Sequence, residues 1–190
     1  MKQPIRIVPT RLDLFRELPA GTTGVEVGVL RGDFSAEILT TGVEKLYLVD
    51  CWESQTGAYE LDVANAEDHE ANERRVRDRF KDDPRVEILK GFSLDVYAAF
   101  KSAAPNYPDF AFAYIDAAHD CDSAYRDLRA WAELLYDDGV LFVHDFTVRP
   151  EAIRQGFGVV KAVYDFCEYN SWEITAITED EWPTVKLERV

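Results

Sequence analysis

Five apolar runs of strand length, "GVEVGV", "KLYLVD", "RVEILKG", "FAFAYID" and "VLFVHD", are spread over the first 145 residues with a helix-length segment after each of the first four. Strands joined through helices pair parallel, since the helical crossover brings the chain back to the same end of the sheet. Such sheets are covered on both faces, which suits runs this continuously apolar. The last two runs, "WEITAIT" and "TVKLERV", follow each other across the acidic turn "EDEWP" without a helix, so they should pair antiparallel. The expected fold is α/β: a Rossmann-like, doubly wound seven-stranded sheet, mostly parallel with a C-terminal antiparallel hairpin. At 190 residues a single domain spanning the whole chain is the natural expectation.

The intervening segments read as helices. Thr10 with Asp13 three residues later resembles a capping box, opening a short N-terminal helix within residues 1–20. A helix from about Ser123 to Leu135 places Ala124, Leu128, Trp131 and Leu135 on one stripe, and "FGVVKAVYDFCEYN" does the same with Val159, Val163 and Phe166. The charged segment around His69 reads as a solvated helix face. Residues 51–64 have no clean period, and both this segment and 146–157 are expected to be substrate or lid loops.

Charge narrows the partners. A formal net charge of −15 argues against nucleic acid and against an anionic membrane surface, both of which need a basic footprint. No apolar run approaches the roughly 20 residues that span a bilayer. The start "MKQPIRIVPTRLD" is too polar for a signal peptide, so the expected location is cytoplasmic. Cys51, Cys121 and Cys167 are odd in number and far apart, which suits reduced thiols rather than a disulfide framework.

The turn after the first run, "VEVGVLRGDFS", is followed by a second strand ending in Asp50, 22 residues beyond Gly28. A strand, a glycine-bearing turn, a helix and a second strand ending in an acid is the general design for gripping a nucleotide-like cofactor and its ribose. The dinucleotide fingerprint, however, needs three glycines for close approach to a pyrophosphate. Here Glu26, Gly28 and Gly32 form E-x-G-x-x-x-G, and an acid at that place repels a pyrophosphate while suiting an ammonium group. S-adenosylmethionine is therefore favoured over NAD.

"VEVGVLRGDFS", "LYLVD", "LKGFSLD", "YIDAAHDCDSAYRDLRAW" and "LYDDGVLFVHDF", in this order, resemble the class I S-adenosylmethionine-dependent methyltransferases, in particular small O-methyltransferases similar to macrocin-type sugar methyltransferases. The resemblance implies that Glu26, Gly28 and Gly32 line the methionine side of the cofactor and that Ser35 reaches its carboxylate. Asp50 would accept from the ribose hydroxyls, and Ser93 would meet the adenine edge.

Methyl transfer from a sulfonium to a hydroxyl is an in-line displacement, and a neutral alcohol needs a general base or a metal ion to become a good nucleophile. Asp116 and His119 leave the fourth strand while His144 and Asp145 leave the fifth, so these four can converge at one sheet edge. The resemblance implies a metal on Asp116 and the pair at 144 and 145, with His119 as the base. The imidazole of His144 departs from the all-oxygen set that magnesium prefers, so magnesium, manganese, zinc and no metal all stay open. For the substrate, Trp52 and Tyr59 could stack on a ring, and equally could cap the adenine or pack the lid, while Arg149 and Arg154 could meet an acidic group or form surface salt bridges. The expected partner is a small hydroxylated acceptor, a sugar or natural-product precursor, with a homo-oligomer left open. A non-catalytic cofactor-binding module and a nucleotide-dependent oxidoreductase remain as alternatives, the latter disfavoured by the missing third glycine.

Overall fold

The computed structural model of the protein describes residues 4–53, 68–103 and 109–190. In chain order the elements are β1 (Arg6–Val8), α1 (Arg11–Arg16), β2 (Thr23–Val27), α2 (Asp33–Ile38), β3 (Lys45–Asp50), α3 (His69–Phe80), β4 (Val86–Lys90) and α4 (Ser93–Ala103). There follow β5 (Phe110–Ile115), α5 (Cys121–Ala132), β6 (Leu135–Val143), α6 (Pro150–Arg154), α7 (Val159–Asn170), β7 (Trp172–Thr178) and β8 (Val185–Arg189).

The strands form one sheet in the order β1-β7-β8-β6-β5-β2-β3-β4. All neighbouring pairs are parallel except those of β8, which runs antiparallel to both β6 and β7. The sheet is thus the expected mixed one, but it has eight strands rather than seven. The extra strand, β1, is three residues long between Pro4 and Pro9, with two of its side chains exposed, so it shows no period that could mark it in the sequence. Two other boundaries differ. Glu133 caps α5, so Leu135 belongs to β6 and not to the helix, and part of the segment expected as a loop at 146–157 is the short helix α6.

Each face of the sheet carries its own core. On one, Val25, Val27, Val49, Ile115 and Leu141 pack under Trp131, Leu128 and Phe166 of α5 and α7. On the other, Leu46, Leu48, Phe112, Tyr114 and Phe142 pack under α1, α2 and α3. Phe15 of α1 is the hub of this second face, with its ring 4.5 Å from Phe142, 5.3 Å from Phe112 and 5.4 Å from Phe34. Phe110 and Phe112 are two residues apart yet lie on opposite faces, because the β5–β6 register shifts between them. That irregularity lets one strand supply an aromatic residue to each core.

β2 lies between β3 and β5, and the chain leaves it in one direction towards β4 and in the other towards β6. This is the point in an open α/β sheet where helices diverge and a crevice forms at the carboxyl ends of the strands. The two sides of the crevice are joined by backbone: Gly28 N–H donates to Val49 O at 2.9 Å, and Asp116 N–H donates to Val27 O at 2.8 Å. Gly28 has φ +91°, and a Cβ there would overlap the Asp116 carbonyl. Gly156 also has positive φ, +82°, but faces open space.

These two glycines separate backbone strain from collision. Gly156→Ala is expected to cost about 1–2 kcal/mol, the left-handed term alone. Gly28→Ala should cost at least about 3 kcal/mol, because overpacking against backbone adds to that term. Urea denaturation of both variants measures the difference, and equal losses would remove the collision at Gly28 from the account.

Candidate active site at the sheet edge

A cavity of about 570 Å³ opens at the carboxyl ends of β2, β3, β5 and β6. Glu26, Gly28, Asp50 and Ser93 line it together with Asp116, His119, His144 and Asp145, so most of the residues singled out from the sequence meet in one place.

Asp50, at the end of β3, organises the turn after β2. Its Oδ2 accepts from Val29 N–H at 2.8 Å and Leu30 N–H at 2.9 Å, while Oδ1 accepts from Trp52 N–H at 2.7 Å. A carboxylate has about four lone-pair sites, so the bonds formed among the described residues leave one acceptor position for a ligand hydroxyl. Gly32, expected beside the cofactor, does not line the cavity: it caps α2 in the left-handed region at φ +70°, with the Phe80 ring and Val76 against it. Glu26 is 1 % exposed, and burial pushes its carboxyl up to about 8, with the Ser35 hydroxyl opposing. Its Oε2 has no hydrogen-bond partner among the described residues.

Across the cavity Ser93 opens α4 and donates to Asp127 Oδ1 at 2.5 Å, while Trp131 Nε1–H donates to Ser93 Oγ at 2.9 Å. Burial pushes Asp127 up to about 6, although the Ser93 hydrogen bond opposes it.

Two acids and two imidazoles form the remaining wall. His144 Nδ1 is 3.0 Å from Asp145 Oδ1 and 3.3 Å from Asp116 Oδ1. His119 Nε2 is 2.9 Å from Asp145 Oδ2 and 3.8 Å from Asp116 Oδ1. Burial opposes charge on Asp116, His144 and Asp145, but the mutual attraction wins. His144 is pushed up to about 9, against burial, by Asp116 and then Asp145. Asp116 is held well below the usual carboxylate range by His144 and His119, and Asp145 is lowered by the same two rings. Asp145 itself sits at φ 56°, a conformation that side chains rarely adopt and that active sites retain when the surroundings hold it. Here Phe146 N–H donates to Pro183 O at 2.9 Å and pins the turn.

His119 is further fixed from above. Its ring stacks on Phe157 at 4.3 Å, its carbonyl accepts from Gly158 N–H at 2.8 Å, and Phe157 lies 5.9 Å from Trp182. Asp120 accepts from Ser123 N–H at 2.9 Å as the N-cap of α5, a structural role.

The donor set fits a divalent cation. Asp116, His144 and Asp145 each present one ligand atom, all within 4.8 Å of one another, with two carboxylate charges to offset. A proton on His144 answers the same need.

Several expectations are corrected. Ser35 is fully buried and lies outside the cavity wall, beside Glu26, because it is on the core side of α2. Trp52 is 3 % exposed, packs in the core with α3, and donates from Nε1 to Leu30 O at 2.9 Å, so it holds the turn and is not a stacking surface. Arg149 pairs with Glu181 at 3.0 Å, and Arg154 is exposed at the end of α6; neither lines the cavity. Tyr59 lies outside the described residues.

Among the lining or supporting residues to which the sequence assigns no role are Arg11, Tyr114 and Asp127. Of these, Asp127 had a readable signal, since an acid one position before Leu128 and four before Trp131 stands on the apolar stripe of α5.

No curated protein sequence matches this chain significantly. Among solved structures, the O-methyltransferase from Bacillus cereus in complex with SAH superposes with a TM-score of 0.61 at 18% identity, covering 95% of this chain and 80% of the other. The ribosomal protein L11 methylase from Lactobacillus delbrueckii subsp. bulgaricus gives 0.54 at 14% identity, covering 94% of this chain and 76% of the other. At such identities these show a shared fold, and a fold serves many acceptors. A family model described as a methyltransferase domain matches residues 25–146, from β2 through the Asp145 turn that closes the cavity. With both the glycine turn and the acid–imidazole cluster inside the matched span, the chain belongs to this family of methyltransferase domains.

Proposed function

We propose that the protein transfers the methyl group of S-adenosylmethionine to a hydroxyl of a small molecule, a sugar or natural-product precursor being the acceptor class its resemblance implies. The observation that carries this reading is that a cofactor-side set, Glu26, Asp50 and Ser93, and a proton-handling set, Asp116, His119 and Asp145, line one and the same cavity. Glu26 takes the ammonium of the methionine portion, the free acceptor position on Asp50 takes a ribose hydroxyl, and Ser93 with Asp127 meets the adenine. The acceptor hydroxyl lies on the Asp116 side, in line with the methyl carbon and sulfur.

As the oxygen attacks, the S–CH₃ bond breaks and the O–CH₃ bond forms, and the hydroxyl proton passes to His119. Asp145, 2.9 Å from one nitrogen of that ring, stabilises the imidazolium. His144 balances the two carboxylates. A divalent cation held by Asp116, His144 and Asp145 would supply a lowered hydroxyl pKa.

Asp116→Asn is expected to lower kcat by about 100-fold or more, the usual size of a proton-transfer or polarisation defect, while leaving the Kd for S-adenosylhomocysteine within about threefold. Transfer of label from methyl-labelled cofactor to a panel of hydroxylated acceptors measures the first quantity and calorimetry the second; a comparable loss in cofactor binding overturns the assignment of Asp116 to the acceptor side.

Glu26 sets a pH dependence. Its folded-state carboxyl is raised to about 8, so in the empty cavity it is protonated at neutral pH, and it contributes stability below about pH 4.5 that is lost as pH rises through 8. The cofactor ammonium binds the ionised form, so affinity should rise with pH between about 6 and 8, by up to about tenfold per unit, and then level off. Glu26→Gln removes the slope; a slope that survives in this variant assigns the proton elsewhere.

The metal question has its own readout. EDTA-treated protein titrated with magnesium, manganese and zinc is expected to gain Tm with manganese or zinc more than with magnesium, because an imidazole is among the donors. No shift with any of the three leaves His119 and Asp116 to act without a cation.

A further inference from the structure

The methionine portion of the cofactor is a zwitterion, and burying it requires partners for both charges. Glu26 accounts for the ammonium group, but the residue expected to meet the carboxylate, Ser35, is buried outside the cavity. The wall around that place is rich in acids, including Glu26, Asp50 and Asp116, which repel an uncompensated carboxylate.

We infer that Arg11, the first residue of α1, binds the α-carboxylate of the cofactor beside Glu26. The inference rests on the methyltransferase reading above and adds to it the residue that distinguishes an intact amino-acid tail from a truncated one.

Three arginines line the described cavity: Arg11, Arg31 and Arg126. Arg126 neighbours Asp127 on α5, at the Ser93 end, and Arg31 lies in the turn beyond Leu30. Arg11 is the arginine whose charge acts on Glu26. Its guanidinium is already held in place. The guanidinium carbon is 3.9 Å from the centroid of the Phe34 ring at the start of α2, and Nη1 donates to Tyr114 Oη at 2.9 Å. Tyr114 in turn donates to Asp116 Oδ2 at 3.2 Å, while Arg11 Nη1 lies 3.9 Å from that same oxygen, beyond a hydrogen bond. The backbone is anchored as well, Arg11 N–H donating to Asp180 Oδ2 at 2.6 Å.

A guanidinium has five N–H donors, and Tyr114 occupies one; no other hydrogen bond to this guanidinium forms among the described residues. The remaining donors suit the two oxygens of a carboxylate, and a side chain already fixed by an aromatic face and a tyrosine loses little freedom on binding. Arg11 and Glu26 thus line the same cavity, one able to meet a carboxylate and the other an ammonium group.

The test compares S-adenosylhomocysteine with 5′-methylthioadenosine, which keeps the adenosine and thioether but lacks the amino-acid tail. Calorimetric Kd values are measured for the wild-type chain, Arg11→Met and Arg11→Lys. Arg11→Met should weaken S-adenosylhomocysteine by about 10- to 100-fold, the loss of one charged hydrogen-bonded partner, and leave 5′-methylthioadenosine within about twofold. Arg11→Lys, which keeps the charge and loses the fork, should fall between. Unchanged S-adenosylhomocysteine binding in Arg11→Met overturns the inference, as does an equal loss for both compounds, which would make Arg11 a support for the cavity. Should Arg11→Met not fold, the intermediate loss confined to S-adenosylhomocysteine in Arg11→Lys decides alone. Failure of the wild-type chain to bind either compound is a different result and sinks the methyltransferase reading itself.

Discussion

The site depends on how closely two stretches of backbone can approach. Gly28, at the turn after β2, lies against the Asp116 carbonyl at the end of β5, and only a residue without Cβ fits there. This contact brings the turn after β2 and the segment that bears Asp116 and His119 to opposite sides of one crevice. Their separation is then set by two backbone hydrogen bonds rather than by flexible side chains. In-line displacement tolerates little misplacement, so a spacing fixed by backbone is well suited to it.

Charge is the second constraint. In a chain of net charge −15, the cavity concentrates acids in a setting where solvent screens them poorly. Four of these acids are answered locally: Asp50 by three backbone N–H groups, Asp116 and Asp145 by two imidazoles, and Glu26 by a proton. What remains is a wall with more acids than bases, which favours a ligand that carries positive charge. Arg11 is one of three arginines in this wall, and it is held over the ring of Phe34.

Much of this was legible before any coordinates. The five apolar runs each ended where a polar tip was needed, so the parallel sheet, the hairpin and the convergence of Asp116, His119, His144 and Asp145 followed from period and spacing. The misreadings share a cause. Ser35 and Trp52 stand next to residues that do line the cavity, and a rotation of one position about the α2 axis, or the left-handed φ of 45° at Trp52, sends their side chains into the core. β1 was too short to have a period, and the helix ending before Leu135 was set by a cap whose geometry no composition records.

The sequence by itself determined the α/β class, the parallel order of helix-linked strands and the set of acids and imidazoles delivered to one sheet edge, because these follow from local hydrophobic period and chain connectivity. Only the tertiary structure decided which of the neighbouring polar residues face the cavity and which are buried behind it. It alone brought Arg11, from the N-terminal helix, against Tyr114, and Ser93 against Asp127. Those pairings join segments remote in the chain, and they arise from how helices pack on the two faces of the sheet, a property that no local pattern contains.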